Sequence, residues 1–103
     1  MTRMPKCGRR DANHNELVDY WLSLPGTSWF TTADLPRQLD GVAGLNGIDQ
    51  RIEIKDGSKP PSATKLTPGE ADTFRDWTGR SCIIWYSVSD VAVTWEIMRK
   101  ELK

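Results

Sequence analysis

The sequence lacks most of what staples or anchors a small domain. It has two cysteines, Cys7 and Cys82, and a single histidine, His14. The cysteines lie far apart in unlike surroundings. Cys7 is in a basic stretch, and Cys82 precedes Ile83 and Ile84 in a predicted buried strand. Free thiols in a reducing compartment are therefore expected rather than a disulfide. One histidine and two separated cysteines also leave no basis for a structural zinc site. Charge of one sign is missing too: 14 basic and 14 acidic residues give a net charge of zero. This argues against a uniformly basic nucleic-acid binder, so any phosphate-binding surface has to be local. No apolar run is long enough to span a bilayer, and residues 1–10 contain no apolar stretch of the secretion-signal kind. No membrane partner and a cytoplasmic location are expected. There is no internal repeat and no low-complexity segment.

What is present fits one small domain with a modest core. Residues 11–103 are expected to form it, with no room for a second. Residues 1–10 carry Arg3, Lys6, Arg9 and Arg10 without an acid, and are expected to be a flexible basic arm. That arm suits either a solvated terminus or a DNA contact through Arg9 and Arg10. Five tryptophans are plentiful for the length. They could be stacking platforms for single strands, but Trp21, Trp77 and Trp95 fit helix core faces and Trp85 fits a strand.

Periodicity predicts a helix over 13–24, with Leu17, Val18, Trp21 and Leu22 on one face and His14 on its surface. Asn13 and Glu16 have the spacing of a capping box, and Pro25-Gly26 ends the helix. A short strand is predicted over 28–32. Strands over 40–45 and 48–55 flank Asn46-Gly47, the strongest short signal for a two-residue hairpin turn. Asp56-Gly57 breaks the second strand, and 58–65 is a Pro-rich loop bearing Lys59 and Lys65. Thr67-Pro68-Gly69-Glu70 is a helix start with a Thr cap, a Pro at the first position and a Glu at the third. This helix should run to about Trp77, with Gly79 stopping it. A buried strand follows over 81–87. Ser89 is expected to cap a last helix with Val88, Val91, Ala92, Trp95 and Met98 on one stripe. Val93 and Ile97 form a second apolar stripe there, which suggests a dimer contact. The order α-β-β-β-α-β-α predicts an α/β fold, a mixed sheet of about four strands flanked by helices.

The hairpin turn fixes a register. If Leu45 pairs with Ile48, then Ala43 faces Gln50, Gly41 faces Ile52 and Asp40 faces Glu53. Directly opposed side chains have Cβ atoms roughly 4.5–5.5 Å apart. Lys55, two residues on, points to the same side as Glu53, while Leu45, Ile48, Ile52 and Ile54 point to the other and form a core face. Two close carboxylates repel unless they share a proton or hold a cation, and oxygen donors of this kind suit Mg²⁺ or Mn²⁺. The other reading of the same residues is a solvated hairpin face with ordinary surface charges. Arg51 shares that face and could pair with Asp49 or meet DNA. Lys59 and Lys65 could contact phosphates or simply be solvated.

The segment Ile52-Glu53-Ile54-Lys55-Asp56-Gly57-Ser58-Lys59-Pro60-Pro61-Ser62, followed by Lys65-Leu66-Thr67-Pro68, resembles the phage and bacterial VRR-Nuc-like branch of the PD-(D/E)xK nucleases. Arg10-Asp11-Ala12-Asn13 with Glu16 is similar to that group's opening helix. Trp77-Thr78-Gly79, the hydrophobic strand and Ser87-Val88-Ser89 are similar to its closing strand and helix. The resemblance implies a restriction-endonuclease-like fold and a metal-dependent endonuclease hydrolysing DNA phosphodiester bonds. Asp40 and Glu53 would bind Mg²⁺ or Mn²⁺ with the backbone carbonyl of Ile54, and Lys55 would be the catalytic lysine. Glu16 would be the helix acid that completes the site, its other reading being the cap with Asn13. Stand-alone members of the group are linked to branched DNA, so the implied substrate is a Holliday junction or flap, cut by a homodimer in a bacterial or phage-infected cell without a small-molecule cofactor. Two departures stand out. Leu39 precedes Asp40 where the motif has Pro, and Glu70 stands where many members have Gln. They keep open an alternative, an inactive or weak nuclease-fold module that binds DNA or a protein partner.

Overall fold

The structure, a computed structural model, describes residues 13–33, 35, 39–60 and 64–102. The basic arm with Arg9 and Arg10, and also Cys7, lie outside the described residues. The elements are α1 (His14–Ser23), β1 (Thr27–Thr31), β2 (Gly41–Leu45), β3 (Ile48–Ile54), α2 (Pro68–Asp76), β4 (Ile83–Trp85) and α3 (Val88–Leu102). They follow the α-β-β-β-α-β-α order expected from the sequence. The strands form a four-stranded mixed sheet in the order β1-β2-β3-β4. The first three are antiparallel, and β4 runs parallel to β3. A parallel neighbour requires a crossover connection, and α2 lies within it.

The β2–β3 turn is set by its two residues. Asn46 has φ 47° and Gly47 φ 99°, the double positive φ that lets a two-residue turn match the strand twist. The register that follows pairs Leu45 with Ile48, Ala43 with Gln50 and Gly41 with Ile52. Alternation then sorts the side chains. Ala43, Leu45, Ile52 and Ile54 are buried on one face against Leu17, Trp21, Trp85, Val91 and Met98. Helices α1 and α3 therefore cover this face. Trp85 stacks against Trp29 with ring centroids 5.7 Å apart and meets Trp21 at 5.6 Å. Gly41 makes room for this group: a Cβ there would lie 2.3 Å from the Trp29 ring. Gln50 is a polar residue on the core face and is satisfied at its margin, donating to the Ser81 carbonyl and accepting from Arg80 Nε. No helix among the described residues is long and apolar enough to cross a membrane.

Several local expectations are corrected. His14 is buried, 3% exposed, with its ring edge-on to Trp29. It shares the i, i+3, i+7 stripe with Leu17 and Trp21, so the helix that buries those residues buries it as well. Asn13 makes no side-chain cap bond. Its amide Nδ2 instead donates to the carbonyls of Lys55 (3.3 Å) and Tyr86 (3.1 Å), bracing α1 against the ends of β3 and β4. Ser89 does not cap α3. The helix starts at Val88, with the Ser87 carbonyl accepting from Asp90 N–H and Val91 N–H, and the Asp90 carboxylate accepts from Tyr86 N–H at 2.8 Å. Trp77 is 45% exposed rather than in the core. It follows α2, a helix with no buried residue, so no core face carries it inward.

Candidate active site

The site forms where β2 runs out alongside β3. The ladder ends at the Gly41–Ile52 pair, and the next pair in that register is Asp40 with Glu53. Asp40 is held at both ends. Its carbonyl accepts from Thr32 N–H at 2.9 Å, and its carboxylate Oδ2 accepts from Ile54 N–H at 2.7 Å. The aspartate thus takes the place of the missing backbone partner of Ile54. A strand residue sends its N–H and C=O to the same side, so the Ile54 carbonyl also leaves β3 on the side of Asp40.

Glu53 and Lys55 stand on the sheet face opposite the core, yet only 4% and 9% of their surfaces are exposed. Lys55 Nζ lies 3.5 Å from Glu53 Oε2 and 3.0 Å from Glu70 Oε1. Burial pushes the Glu53 carboxyl up to about 9. The Asp40 charge and a hydrogen bond to Glu70 add to the rise, and Lys55 opposes it. As the protonated partner, Glu53 donates that hydrogen bond. Burial pushes Glu70 up as well, but hydrogen bonds from Glu53, Thr67 N–H and Lys55 outweigh it, and its carboxyl is held below the usual range. With all three acids ionised, Lys55 would offset one charge of three. The pocket therefore disfavours full ionisation unless a further cation enters.

Glu70 joins two roles that its position in the sequence presents as alternatives. Thr67 and Glu70 form the reciprocal capping box at the start of α2. The same Glu70 oxygen that accepts from Thr67 N–H at 2.8 Å accepts from Lys55 Nζ. The cap is thus also the lysine's clamp, bringing the α2 N-terminus onto the Glu53 face.

The other predicted residues are distributed around this centre. Glu16 is exposed and lines a separate cleft with Asp56, Gly57 and Tyr86. The charges acting on Glu53 are Asp40, Glu70 and Lys55. The capping alternative for Glu16 loses its partner, because the Asn13 side chain caps nothing. Lys59 and Lys65 are exposed in the connection after β3. Lys59 N–H closes a turn on the Asp56 carbonyl at 3.1 Å. Arg51 places its guanidinium 4.4 Å from the centre of the Trp77 ring, a pairing that the sequence reading did not foresee. The available signal was the position of Trp77, past the helix and just before Thr78-Gly79.

Among the described residues, no three His, Cys, Asp or Glu side chains converge as a ready-made metal cage. The donor chemistry nonetheless fits Mg²⁺ or Mn²⁺, which keep several waters and are commonly held by one or two carboxylates with substrate phosphate. Asp40, Glu53 and the Ile54 carbonyl are hard oxygen donors on one side of β3, and the buried Glu53 gains from a neighbouring cation. No protein-family model, no curated protein and no solved structure matches this chain.

Proposed function

We propose that the chain is a Mg²⁺- or Mn²⁺-dependent endodeoxyribonuclease that acts on branched or flapped DNA as a homodimer, two copies offering two sites for paired cuts. The observation that carries the reading is the pairing of buried Glu53 and Lys55 with half-buried Asp40 at the end of the β2–β3 ladder, with Glu53 only 4% exposed. Burying Glu53 and Lys55 beside a further acid at the open end of a hairpin is costly for a structural face, and the two acids with a lysine suit phosphodiester hydrolysis. The substrate preference and the dimer come from the motif resemblance, since a fold by itself does not fix a substrate.

In this reading Asp40 and Glu53 bind the cation with the Ile54 carbonyl, and the Ile54 N–H keeps the Asp40 carboxylate from turning away. When bound, Mg²⁺ or Mn²⁺ supplies Lewis-acid polarisation of a phosphoryl oxygen and acidifies water. Lys55 positions the attacking water and offsets charge developing on the phosphate oxygens. Lys59 and Lys65 contact the DNA backbone on either side of the loop.

The test is Mn²⁺-dependent cleavage of linear, flapped and four-way DNA. Lys55→Ala is expected to lower cleavage by about 100-fold or more, the loss typical for removing a transition-state charge contact. Equal behaviour of wild type and variant on every substrate would end the enzyme reading. Titration calorimetry with Mn²⁺ checks the cation site separately, with Glu53→Gln expected to lose binding.

One observation favours a second reading, a nuclease fold kept as a binding module. Glu70 holds Lys55 at 3.0 Å, which ties up the ammonium that catalysis needs. Replacing that acid distinguishes the two readings.

A further inference from the structure

The sheet face that bears Glu53 and Lys55 carries a second feature that the proposed hydrolysis does not use. Phe30 pairs with Val42 across β1–β2, and Val42 pairs with Arg51 across β2–β3. Paired residues lie on the same face, so these three side chains form one row across the sheet. The Trp77 ring extends it, lying over the Arg51 guanidinium at 4.4 Å. Both aromatic ends are open to solvent, Phe30 at 67% and Trp77 at 45%. Neither belongs to the hydrophobic core.

Trp77 is also held in place. A Cβ at Gly79 would lie 2.7 Å from Trp77 Nε1, so the glycine lets the chain pass close beneath the ring edge. The acids of α2 that precede Trp77 are engaged, with Arg75 bonded to Asp76 at 2.7 Å and to Asp72 at 3.2 Å. An exposed indole backed by a guanidinium is a flat aromatic surface with a cation on its inner side. It matches the face of an unpaired nucleobase.

The row lies beside the candidate site. Arg51 precedes Glu53 by two residues on the same face of β3, a separation of about 6.6 Å along the strand. Asp40 and Glu53 form the adjacent row. We propose that Phe30, Val42, Arg51 and Trp77 form a stacking ledge for the unpaired bases of a nucleic-acid strand whose backbone enters the Asp40–Glu53–Lys55 site. The inference rests on the nuclease reading for the identity of the neighbouring site. It narrows the substrate to one with single-stranded character beside the scissile phosphate. Base stacking is sequence-tolerant, so the ledge selects unpaired structure rather than sequence.

Fluorescence anisotropy tests this with a labelled oligo-dT 12-mer, an oligo-U 12-mer and a hairpin duplex, all in Ca²⁺. Wild type is expected to bind oligo-dT more tightly than duplex. Trp77→Ala should weaken oligo-dT binding by about tenfold while changing duplex binding by less than about twofold, and Trp77→Phe should recover most of the loss. Phe30→Ala removes a side chain outside the core, so it folds whatever happens at position 77. It should weaken oligo-dT binding by about threefold. Tighter oligo-dT than oligo-U binding assigns the strand as DNA, and the reverse assigns RNA, both retaining the ledge. Duplex bound as tightly as oligo-dT, or wild-type affinity for oligo-dT in both alanine variants, overturns it. No hydrolysis is needed for this readout. A protein that binds through Trp77 but cuts nothing sinks the nuclease reading alone, and one that cuts through Lys55 without any Trp77 effect sinks the ledge alone.

Discussion

Glu53 shows how a single residue ties the site to stability. An unfolded chain ionises this carboxyl near its ordinary value of 4.5, whereas the folded protein holds the proton to about 9. Between those values the folded state carries the extra proton, so rising pH favours the unfolded state. The stability associated with Glu53 is complete below about pH 4.5 and falls as pH rises towards 9. Glu70 is shifted the opposite way, so its contribution is lost only under more acid conditions. The cation-free protein is therefore predicted to melt at a lower temperature at pH 9 than at pH 5. Glu53→Gln should flatten that slope, raising the Tm at pH 8 by roughly 4–8 °C for each kcal/mol regained. Circular-dichroism melts in EDTA at three pH values measure this. A wild-type Tm that climbs steadily from pH 5 to pH 9 would show that Glu53 is not held neutral by burial.

At the scale of elements, α2 is the unusual member. It buries no residue, so packing against a core does not hold it. Its attachments include the contacts of Glu70 with Lys55 and Glu53 at one end and Trp77 on Arg51 just past the other. Its N-terminus is thus coupled to the lysine through one carboxylate. Gln at position 70 can still accept from Thr67 N–H and complete a capping box, but it carries no charge to clamp Lys55. If the chain is a nuclease, Glu70→Gln is expected to raise the cleavage rate by about threefold, a change of under 1 kcal/mol in barrier. Because the variant gives up the ionic contact with Lys55, its Tm is expected to fall, by roughly 4–8 °C for each kcal/mol lost. Steady-state rates in Mn²⁺ decide the point. If neither wild type nor Glu70→Gln cleaves any DNA of the panel, the binding-module reading takes over.

At the scale of the whole molecule, the outer side of α3 remains open. Val93 and Ile97 are 56% and 48% exposed, on the side of α3 away from buried Val91, Thr94 and Met98. This apolar stripe is the expected dimer contact. Replacing both with charge, Val93→Glu with Ile97→Lys, is expected to yield a monomer without lowering the Tm, since neither side chain is in the core. Sedimentation equilibrium measures it, and wild type sedimenting as a monomer at micromolar concentration would remove the dimer.

The sequence by itself determined the order of elements and the hairpin. Asn46-Gly47 permits one tight turn, and a period of two then sorts every residue of β2 and β3 to a face, so the juxtaposition of Asp40 and Glu53 was a matter of counting. The Thr67–Glu70 cap was equally legible, being contained within one helical turn. What the tertiary structure alone decided lies between segments distant in the chain. That the Glu70 carboxylate also reaches Lys55, that Trp77 sits on Arg51 rather than in the core, and that the Asn13 amide braces β3 and β4 all depend on how α1 and α2 dock on the sheet. Local periodicity carries no record of these contacts, because docking is governed by burial and hydrogen bonding across the fold rather than by the spacing of residues along it.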